Sequence, residues 1–369
     1  MLAPHLRYDC AAHPQHGRGL VNGVAYLYAY THIIHPSRAL PLYDARMSPI
    51  TTWIFPGQGS QAVGMGNEAL AASPAARAVL AEAEEALGES IGALIASGQA
   101  EALERTEQAQ PAILIISIAL LEAARERAAA RGETLETPIF AAGHSAGQYA
   151  AAVAAGALSI GDAVKLSRRR GELMQTSGGG RPGAMAAILG LPESEESRIV
   201  AEGAAHGVLV LANRNSPGQI VLSGEVAAIE HAVAAASAAG AKRAVRLQVS
   251  IASHSPLMEE AAAGMREALN AVTVHDPKIT MLANATATPI RTAAELRREL
   301  SDHLTTGVDW IAAIGATAAA GTQRYVEVGY GRVLSGLVKR IPSATGAEIL
   351  SVDELPIRAA TATTAAVAS

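Results

Sequence analysis

The stretch that decides the fold reads IFAAGHSAGQYAAAVA and covers residues 139–154. Its first part, Ile139–Ala142, is a short apolar run typical of a buried strand, and residues 148–155 have the composition of a helix. Between them lies the pentapeptide GHSAG, a G-x-S-x-G pattern over residues 143–147. In a sharp strand-to-helix turn the two glycines give the backbone room, and the serine hydroxyl projects from the sheet edge. We therefore interpret Ser145 as a nucleophile; the alternative is an ordinary Gly/Ser turn.

Strands and helices alternate around this stretch. Thr52–Phe55 is typical of a buried strand and runs into a turn-rich segment at 56–61. Two Ala-rich helices are predicted over 67–88 and 111–130, with Pro111 in the first turn of the second, where its missing N–H is tolerated. This alternation predicts a largely parallel α/β sheet.

Residues 183–249 follow a different order. The pattern predicts strands over Met185–Leu191, Val208–Ala212, Gln219–Ser223 and Arg243–Val249, and helices over Ser194–Ala205 and Val226–Ala239. This βαββαβ order is the ferredoxin-like pattern. We therefore predict a large α/β subdomain over 47–182 and 250–345, with a small subdomain at 183–249 inserted into it. The Ala/Thr-rich end at 357–369 is expected to be a frayed tail.

The composition of the 369 residues limits the functions that are possible. Half of the residues are hydrophobic and 17% are charged, as in globular proteins, and the net charge of −5 leaves no basic footprint for nucleic acid. The single cysteine, Cys10, can form neither an internal disulfide nor a cysteine metal site. The longest apolar run, Ala112–Leu121, is too short to span a bilayer. The sequence therefore predicts a cytoplasmic protein that binds neither nucleic acid nor membrane.

Residues 1–46 differ from the rest of the chain. They are rich in histidine and tyrosine and show no helical or alternating period. A metal-binding tract is one interpretation, although the spacings match no ligand pattern. A secretory signal is another, although Asn22 and two histidines interrupt its apolar core. We expect instead a poorly ordered extension, with Met47 as the natural beginning.

A nucleophilic serine needs a base, and a charged substrate needs a counter-ion. His254 is the candidate base because it follows a predicted strand, in a loop that can present it; the alternative is a surface histidine. Three consecutive arginines, residues 168–170, lie about 100° apart on a predicted helix that begins at Ser159. Arg170 falls nearest the apolar stripe and Arg169 faces solvent. Arg170 is therefore a candidate fork for a substrate carboxylate, and the alternative is a structural ion pair.

Together these residues resemble a known family, the malonyl-CoA:acyl-carrier-protein transacylases and the acyltransferase domains of polyketide synthases. The resemblance runs from about Thr52 to Ile341. Its motifs, in order, are FPGQGSQ at 55–61, GHSAGQY at 143–149, RGELMQ at 170–175, GAMAA at 183–187, NSPGQ at 215–219, SHS at 253–255 and VEVG at 326–329. Each motif is modest alone, and their order and spacing make the set specific.

The resemblance implies an α/β-hydrolase-like large subdomain with a parallel sheet, an inserted ferredoxin-like subdomain, and a ping-pong acyl transfer in fatty acid biosynthesis. Ser145 would take malonyl from malonyl-CoA as an ester, with His254 as base and then acid. The phosphopantetheine thiol of holo acyl carrier protein would then receive it. The other implied roles are a backbone oxyanion hole at Gln58 and Ala146, carboxylate binding by Arg170, and orientation of the base by the backbone carbonyl of His303. No metal or tightly held cofactor is implied.

Five positions depart from the family pattern or bear on substrate choice. Gln148 stands where the family usually has Glu, and we expect it to alter the electrostatics of the entrance. Tyr330 replaces the usual Pro of Gly-Pro-Gly, and His303 stands where the free-standing enzymes commonly have Gln. Ala252-Ser253 before the histidine resembles a methylmalonyl pattern of polyketide-type relatives, although malonyl enzymes also carry Ser-His. We expect malonyl; a trans-acting polyketide-type acyltransferase and the transferase component of a malonate decarboxylase remain alternatives.

Two other classes of function stay open from the sequence. A serine hydrolase such as a thioesterase shares G-x-S-x-G, although its histidine usually lies near the C-terminus and Arg170 would have no role in it. A docking module that has lost its chemistry is the second. Carrier proteins in this family's systems are acidic, so Lys242, Arg243 and Arg246 are candidates for a docking patch; the alternative is a solvated face.

Overall fold

The computed structural model describes residues 49–177, 182–355 and 357–359. Its strands are β1 (Thr51–Phe55), β2 (Glu133–Leu135), β3 (Phe140–Gly143), β4 (Gly183–Leu189), β5 (Leu209–Ser216), β6 (Gln219–Glu225), β7 (Arg243–Arg246), β8 (Thr280–Leu282), β9 (Pro289–Ile290), β10 (Val308–Asp309), β11 (Arg324–Glu327), β12 (Glu348–Ser351) and β13 (Ile357–Ala359). Its α-helices are α1 (Asn67–Ala72), α2 (Pro74–Leu87), α3 (Gly92–Ser97), α4 (Ala100–Glu104), α5 (Thr106–Ala129), α6 (Gly147–Ala154), α7 (Ile160–Thr176), α8 (Glu193–Ala204), α9 (Val226–Ala238), α10 (Glu259–Asn270), α11 (Ala293–Asp302), α12 (Trp310–Ala319) and α13 (Val333–Val338).

The six-stranded sheet has the order β12-β11-β1-β3-β8-β9 and is parallel except for β9. Its strand β1 is buried along its whole length. Trp53 and Phe55 pack into one core and Ile54 packs into another. Because both faces of the strand are covered, apolar residues follow one another without alternation. The predicted α/β class with a parallel sheet is confirmed.

Two predicted helices differ from the structure at prolines. The helix expected over 67–88 is two helices, because Pro74 opens α2 and the Ser73 hydroxyl caps it by accepting a backbone N–H (3.0 Å). Pro111 was expected in a first turn, but it lies inside α5, which begins at Thr106. Its ring removes one intrahelical hydrogen bond there. Because the first turn of α5 is polar, the pattern of apolar residues does not indicate where this helix begins.

The five-stranded sheet has the order β10-β5-β6-β4-β7. Strands β4 to β7 come from residues 183–249 and pair antiparallel, and α8 and α9 contribute to the apolar core beside them. This confirms the ferredoxin-like order of the predicted insertion. The fifth strand, β10, is not predicted from the sequence; it belongs to the later segment and pairs parallel with β5. The last strand of the insertion ends at Arg246 rather than at Val249.

The C-terminal strands correct two predicted boundaries. β12 pairs parallel with β11, so the six-stranded sheet continues to Ser351, beyond the expected boundary at 345. β13 pairs antiparallel with β2, so the segment expected to fray from residue 357 begins with a strand. The predicted extension at 1–46 and the tail residues 360–369 lie outside the described residues. Within the described part, no helix is both long enough and apolar enough to cross a membrane.

Candidate active site

The chain turns sharply where β3 ends and α6 begins, and Ser145 lies in this turn. Its φ of 51° is in the left-handed region, which residues with a side chain rarely adopt. Gly147 makes the turn possible, because a Cβ there would lie 2.1 Å from the carbonyl oxygen of Phe55. The structure thus contains the strand–serine–helix turn that the sequence predicts. Backbone strain of this kind is typical of functional sites.

The loop after β1 lies against this turn. β1 and β3 are parallel neighbours, so both leave the sheet at the same edge. A Cβ on Gly57 would lie 3.5 Å from the backbone nitrogen of Ala146, which shows how closely the loop approaches the start of α6. Gln58 follows directly, and its side-chain amide donates to Thr106 Oγ1 (3.3 Å). The two backbone segments predicted to form an oxyanion hole are therefore neighbours.

His254 contacts the serine hydroxyl. Its Nε2 lies 2.8 Å from Ser145 Oγ, and its Nδ1 lies 2.6 Å from the backbone carbonyl of His303 and 2.9 Å from that of Thr306. Because carbonyl oxygens only accept hydrogen bonds, Nδ1 carries the proton and Nε2 accepts from the serine. The carbonyl of His303 lies where the resemblance implies, and the carbonyl of Thr306 is an addition that no sequence signal indicates.

The surroundings of His254 favour its neutral form. Its side chain is buried, with 4% exposure. Burial, the positive charge of Arg170 and the nearby His303 lower the pKa of His254 from 6.5 to about 3, against the smaller effect of its hydrogen bonds to the two carbonyls. A neutral imidazole can accept the serine proton across the physiological pH range.

Arg170 lies beside the serine and is 1% exposed. Its Nη2 donates to Ser145 Oγ (3.1 Å). Its Nη1 donates to Gln110 Oε1 (2.7 Å) and its Nε to His303 Nε2 (3.2 Å). Burial lowers the pKa of Arg170 to about 10, so the guanidinium stays charged at neutral pH. Its three partners carry no negative charge, which favours the substrate-binding interpretation over a structural ion pair.

Helix α7 separates its three consecutive arginines as the helical spacing predicts. Arg168 pairs with Glu89 and also donates to Gln108 (3.1 Å). Arg169 is half exposed and lies 3.5 Å from Glu172. Of the three, only Arg170 reaches the serine.

Asn284 is a site residue that the sequence analysis does not identify. It follows β8, and its Oδ1 accepts the backbone N–H of Ser145 (2.8 Å). Its own backbone N–H and side-chain amide donate to Glu299 Oε1 (2.8 and 2.9 Å), so the carboxylate fixes which way the amide points. The available signal is its position after a strand of the parallel sheet, since the carboxyl ends of such strands meet at one edge.

Gln148 lies behind the turn and not at an entrance, which corrects its predicted effect on entrance electrostatics. It is fully buried. Its Oε1 accepts the Gly143 N–H (2.9 Å), and its Nε2 donates to the Leu282 carbonyl (2.8 Å) and to Glu299 (3.3 Å). Gln148 therefore ties β3 to β8 directly behind the serine. Tyr330, another departure from the family pattern, is 40% exposed on the loop between β11 and α13.

Three other described histidines lie elsewhere. His144 points away from the serine, with Nε2 2.8 Å from Asn215 Oδ1. His206 and His231 stack on each other beside the five-stranded sheet, with ring centroids 3.4 Å apart. Among the described residues, no group of three or more His, Cys, Asp or Glu is placed to hold a metal ion.

Comparison with known proteins identifies similar chains. A family model described as an acyl transferase domain matches residues 52–339. The malonyl CoA-acyl carrier protein transacylase of Bacillus subtilis is 42% identical over 78% of this chain and 89% of its own length. The acyl-carrier-protein S-malonyltransferase of Bartonella henselae is a solved structure with a TM-score of 0.78 and 38% identity, over 82% of this chain and 95% of that one. A malonyl-transacylase solved in complex with its type II polyketide acyl-carrier protein has a TM-score of 0.75 and 35% identity, over 82% and 94%.

Proposed function

The chain belongs to the acyl transferase domain family, and we propose that it moves a malonyl group from malonyl-CoA to the phosphopantetheine thiol of an acyl carrier protein in fatty acid biosynthesis. The observation that carries the proposal is the position of Arg170. A buried guanidinium that has no acidic partner among the described residues donates to the oxygen of the nucleophile itself. An acyl group on Ser145 that ended in a carboxylate would place that carboxylate within reach of the guanidinium.

In the first half-reaction the Ser145 hydroxyl gives its proton to His254 Nε2 and its oxygen attacks the thioester carbonyl carbon. The backbone N–H groups of Gln58 and Ala146 stabilise the negative oxygen that develops. When the tetrahedral intermediate collapses, the C–S bond breaks and His254 returns the proton to the sulfur of CoA. CoA leaves, and malonyl remains on the serine as an ester.

The second half-reaction uses the same steps, with a thiol attacking the serine ester. The phosphopantetheine thiol gives its proton to His254 and its sulfur attacks the ester carbonyl. Collapse breaks the bond to Ser145 Oγ, which takes the proton back. We propose that no cofactor takes part, because side chains of this one site supply the nucleophile, the base and the cation. We propose the cytoplasm as the compartment, because malonyl-CoA and holo acyl carrier protein are both charged and water-soluble.

Two alternatives differ from this proposal in the acceptor or in the acyl group. A serine hydrolase would pass the acyl group to water, and Arg170 would have no role in it. A polyketide-type enzyme would use the same steps with malonyl or methylmalonyl. Its support is Ala252-Ser253 before the base, and both residues are buried near His254. An extra methyl group is worth only about 1–3 kcal/mol in a pocket, so this pattern does not outweigh the malonyl expectation.

The test is the intact mass of the protein after brief exposure to malonyl-CoA, methylmalonyl-CoA or acetyl-CoA, with Ser145→Ala as the control. We expect a malonyl adduct on the wild type and none on the variant. Holo acyl carrier protein should then remove the adduct and gain the same mass. A methylmalonyl preference would support the polyketide alternative. A folded protein that forms no adduct with any of the three would contradict the acyltransferase proposal.

A further inference from the structure

The side chain of His303 is a separate feature from the backbone carbonyl that contacts His254. Its Nε2 lies 3.2 Å from Arg170 Nε. Arg170 Nε can only donate, so His303 Nε2 must be the acceptor and cannot carry a proton. A second proton on this ring would place a positive charge against the guanidinium. The His303 ring is therefore neutral and carries its proton on Nδ1.

Glu299 lies on the opposite side of this ring. His303 Nδ1 is 3.9 Å from Glu299 Oε1 and is buried, with no hydrogen-bond partner among the described residues. The distance is too long for a hydrogen bond, but the carboxylate is the negative group that this N–H faces. The same oxygen, Oε1, accepts both N–H groups of Asn284, so its position is determined by other contacts. A fixed negative charge on this side favours the tautomer with the proton on Nδ1.

We propose that the His303 side chain is a positioning residue for the acyl carboxylate: with Glu299 behind it, it holds Arg170 Nε and so presents the terminal nitrogens of the guanidinium to the substrate. The inference rests on the proposed function, because the carboxylate is that of the malonyl group. An arginine can bind a carboxylate through its two terminal nitrogens or through Nε and one of them. His303 occupies Nε and leaves the terminal edge, which is the edge that contacts Ser145.

The three contacts of Arg170 differ in how easily a substrate can replace them. The contact to Ser145 changes when the oxygen becomes an ester. The contact to Gln110 uses one N–H of a nitrogen that has two. The contact to His303 uses the single N–H of Nε, on a ring that is 1% exposed. His303 is therefore the partner that keeps its bond to Arg170 while the terminal edge receives the carboxylate.

The experiment compares His303→Met, which removes the acceptor, with His303→Gln, which replaces it by an amide oxygen. Rates of Ser145 acylation are measured with malonyl-CoA and with acetyl-CoA, and the ratio of the two kcat/KM values is the readout. Only malonyl has the carboxylate, whereas both substrates depend on the backbone carbonyl of residue 303. We expect His303→Met to lower the ratio about tenfold and His303→Gln to restore most of it.

The matched control is Arg298→Met, on the exposed face of α11, the helix that ends just before His303. It should leave the ratio unchanged. In an Arg170→Ala background, His303→Met should also have no effect on the ratio, because the two changes act on one contact. A His303→Met protein that is folded and shows an unchanged ratio, or equal losses for both substrates, would overturn the inference. A wild type that is not acylated by malonyl-CoA would instead contradict the proposed function.

A second readout tests the tautomer without any substrate. Nitrogen-15 NMR of histidine-labelled protein distinguishes a ring protonated at Nδ1 from one protonated at Nε2. We expect the His303 signals of the wild type to show the proton on Nδ1, and those of Glu299→Gln to show a larger share of the other form. A ring protonated at Nε2 in the wild type would exclude the contact to Arg170 and overturn the inference.

Discussion

The two main sheets of this protein differ in whether polar and ionisable side chains are buried beside them. At the carboxyl edge of the six-stranded sheet, His254, Arg170 and His303 are buried, and His303 accepts hydrogen bonds from both of the others. Ser145 and His254 both have left-handed backbones. The core of the five-stranded sheet is built from alanine, isoleucine and leucine. The exposed helix α8 beside it carries surface ion pairs.

The difference shows where the molecule places its unfavourable interactions. Burying an ionisable group costs free energy unless it is paired. Several ionisable groups are buried at the edge of the six-stranded sheet. A comparable feature beside the five-stranded sheet is Glu196 on α8, whose side chain is 5% exposed and lies 2.9 Å from Arg214. Glu196 faces a group of opposite charge, whereas Arg170 donates to three uncharged groups. We propose that a substrate carboxylate completes the pairing of Arg170 at the edge of the six-stranded sheet.

The sharpest test of this comparison replaces one buried or partly buried arginine at each sheet: Arg170 on α7, beside the six-stranded sheet, and Arg214 on β5 of the five-stranded sheet. Arg170→Ala should lower kcat/KM for malonyl-CoA about 100-fold, because charge-assisted hydrogen bonds of about 1.5–3 kcal/mol each are lost. It should also raise hydrolysis of the acyl-enzyme relative to transfer, since the carboxylate is no longer held. The measurement is the partition of the acyl-enzyme between water and holo carrier protein.

Arg214→Ala is the matched variant in the five-stranded sheet. It leaves Glu196 buried without its partner, so we expect a lower Tm and an unchanged ratio of malonyl to acetyl acylation. If Arg170→Ala instead lowers hydrolysis and transfer by the same factor, Arg170 does not protect the acyl-enzyme from water.

The second largest predicted effect is the pH dependence of stability, which arises from histidines at the carboxyl edge of the six-stranded sheet. Burial is the largest cause that lowers the pKa values of His144, His254 and His303 below 6.5. Below pH 6.5 the unfolded chain binds protons that the folded chain does not, so the free energy of unfolding falls as the pH falls. Each histidine contributes at most about 1.4 kcal/mol per pH unit.

Urea unfolding of the wild type and His303→Gln between pH 7.5 and 5 isolates one of these contributions. The two proteins should differ by a constant amount near pH 7.5, and the variant should lose stability less steeply below 6.5. Parallel curves over the whole range would show that His303 does not remain neutral in the folded protein.

The smallest predicted effect concerns the surface of the five-stranded sheet. Lys242, Arg243 and Arg246 are exposed at its edge strand β7 and just before it, and Arg246 lies 3.6 Å from Glu230. Replacing Lys242 and Arg243 by alanine should raise KM for an acidic carrier protein about threefold at low salt, and less at high salt because of screening. Arg198→Ala on α8 is the control. A transfer step that responds equally to both changes would support the solvated-face alternative.

Local sequence predicts the strands, turns and helices of the candidate site better than it predicts the contacts between their side chains. The strand, turn and helix around Ser145 follow from glycine spacing, and the inward direction of Arg170 follows from 100° steps on a helix. Asn284 and Glu299 have no comparably specific signal, because an Asn after a strand and a Glu on a helix are common in any sequence. Gln148 was placed wrongly for a related reason, since its position in the motif does not reveal that it packs behind the turn.

Local sequence patterns predict the class of fold and the candidate nucleophile, base and cation, because each of these depends on residues close together in the chain. The tertiary structure decided how these groups share protons. It brought Thr306 and His303 to one nitrogen of His254, and Glu299 to both Asn284 and the His303 ring. Such contacts join residues far apart in sequence, and which atom donates or accepts depends on distances that only the packed chain sets.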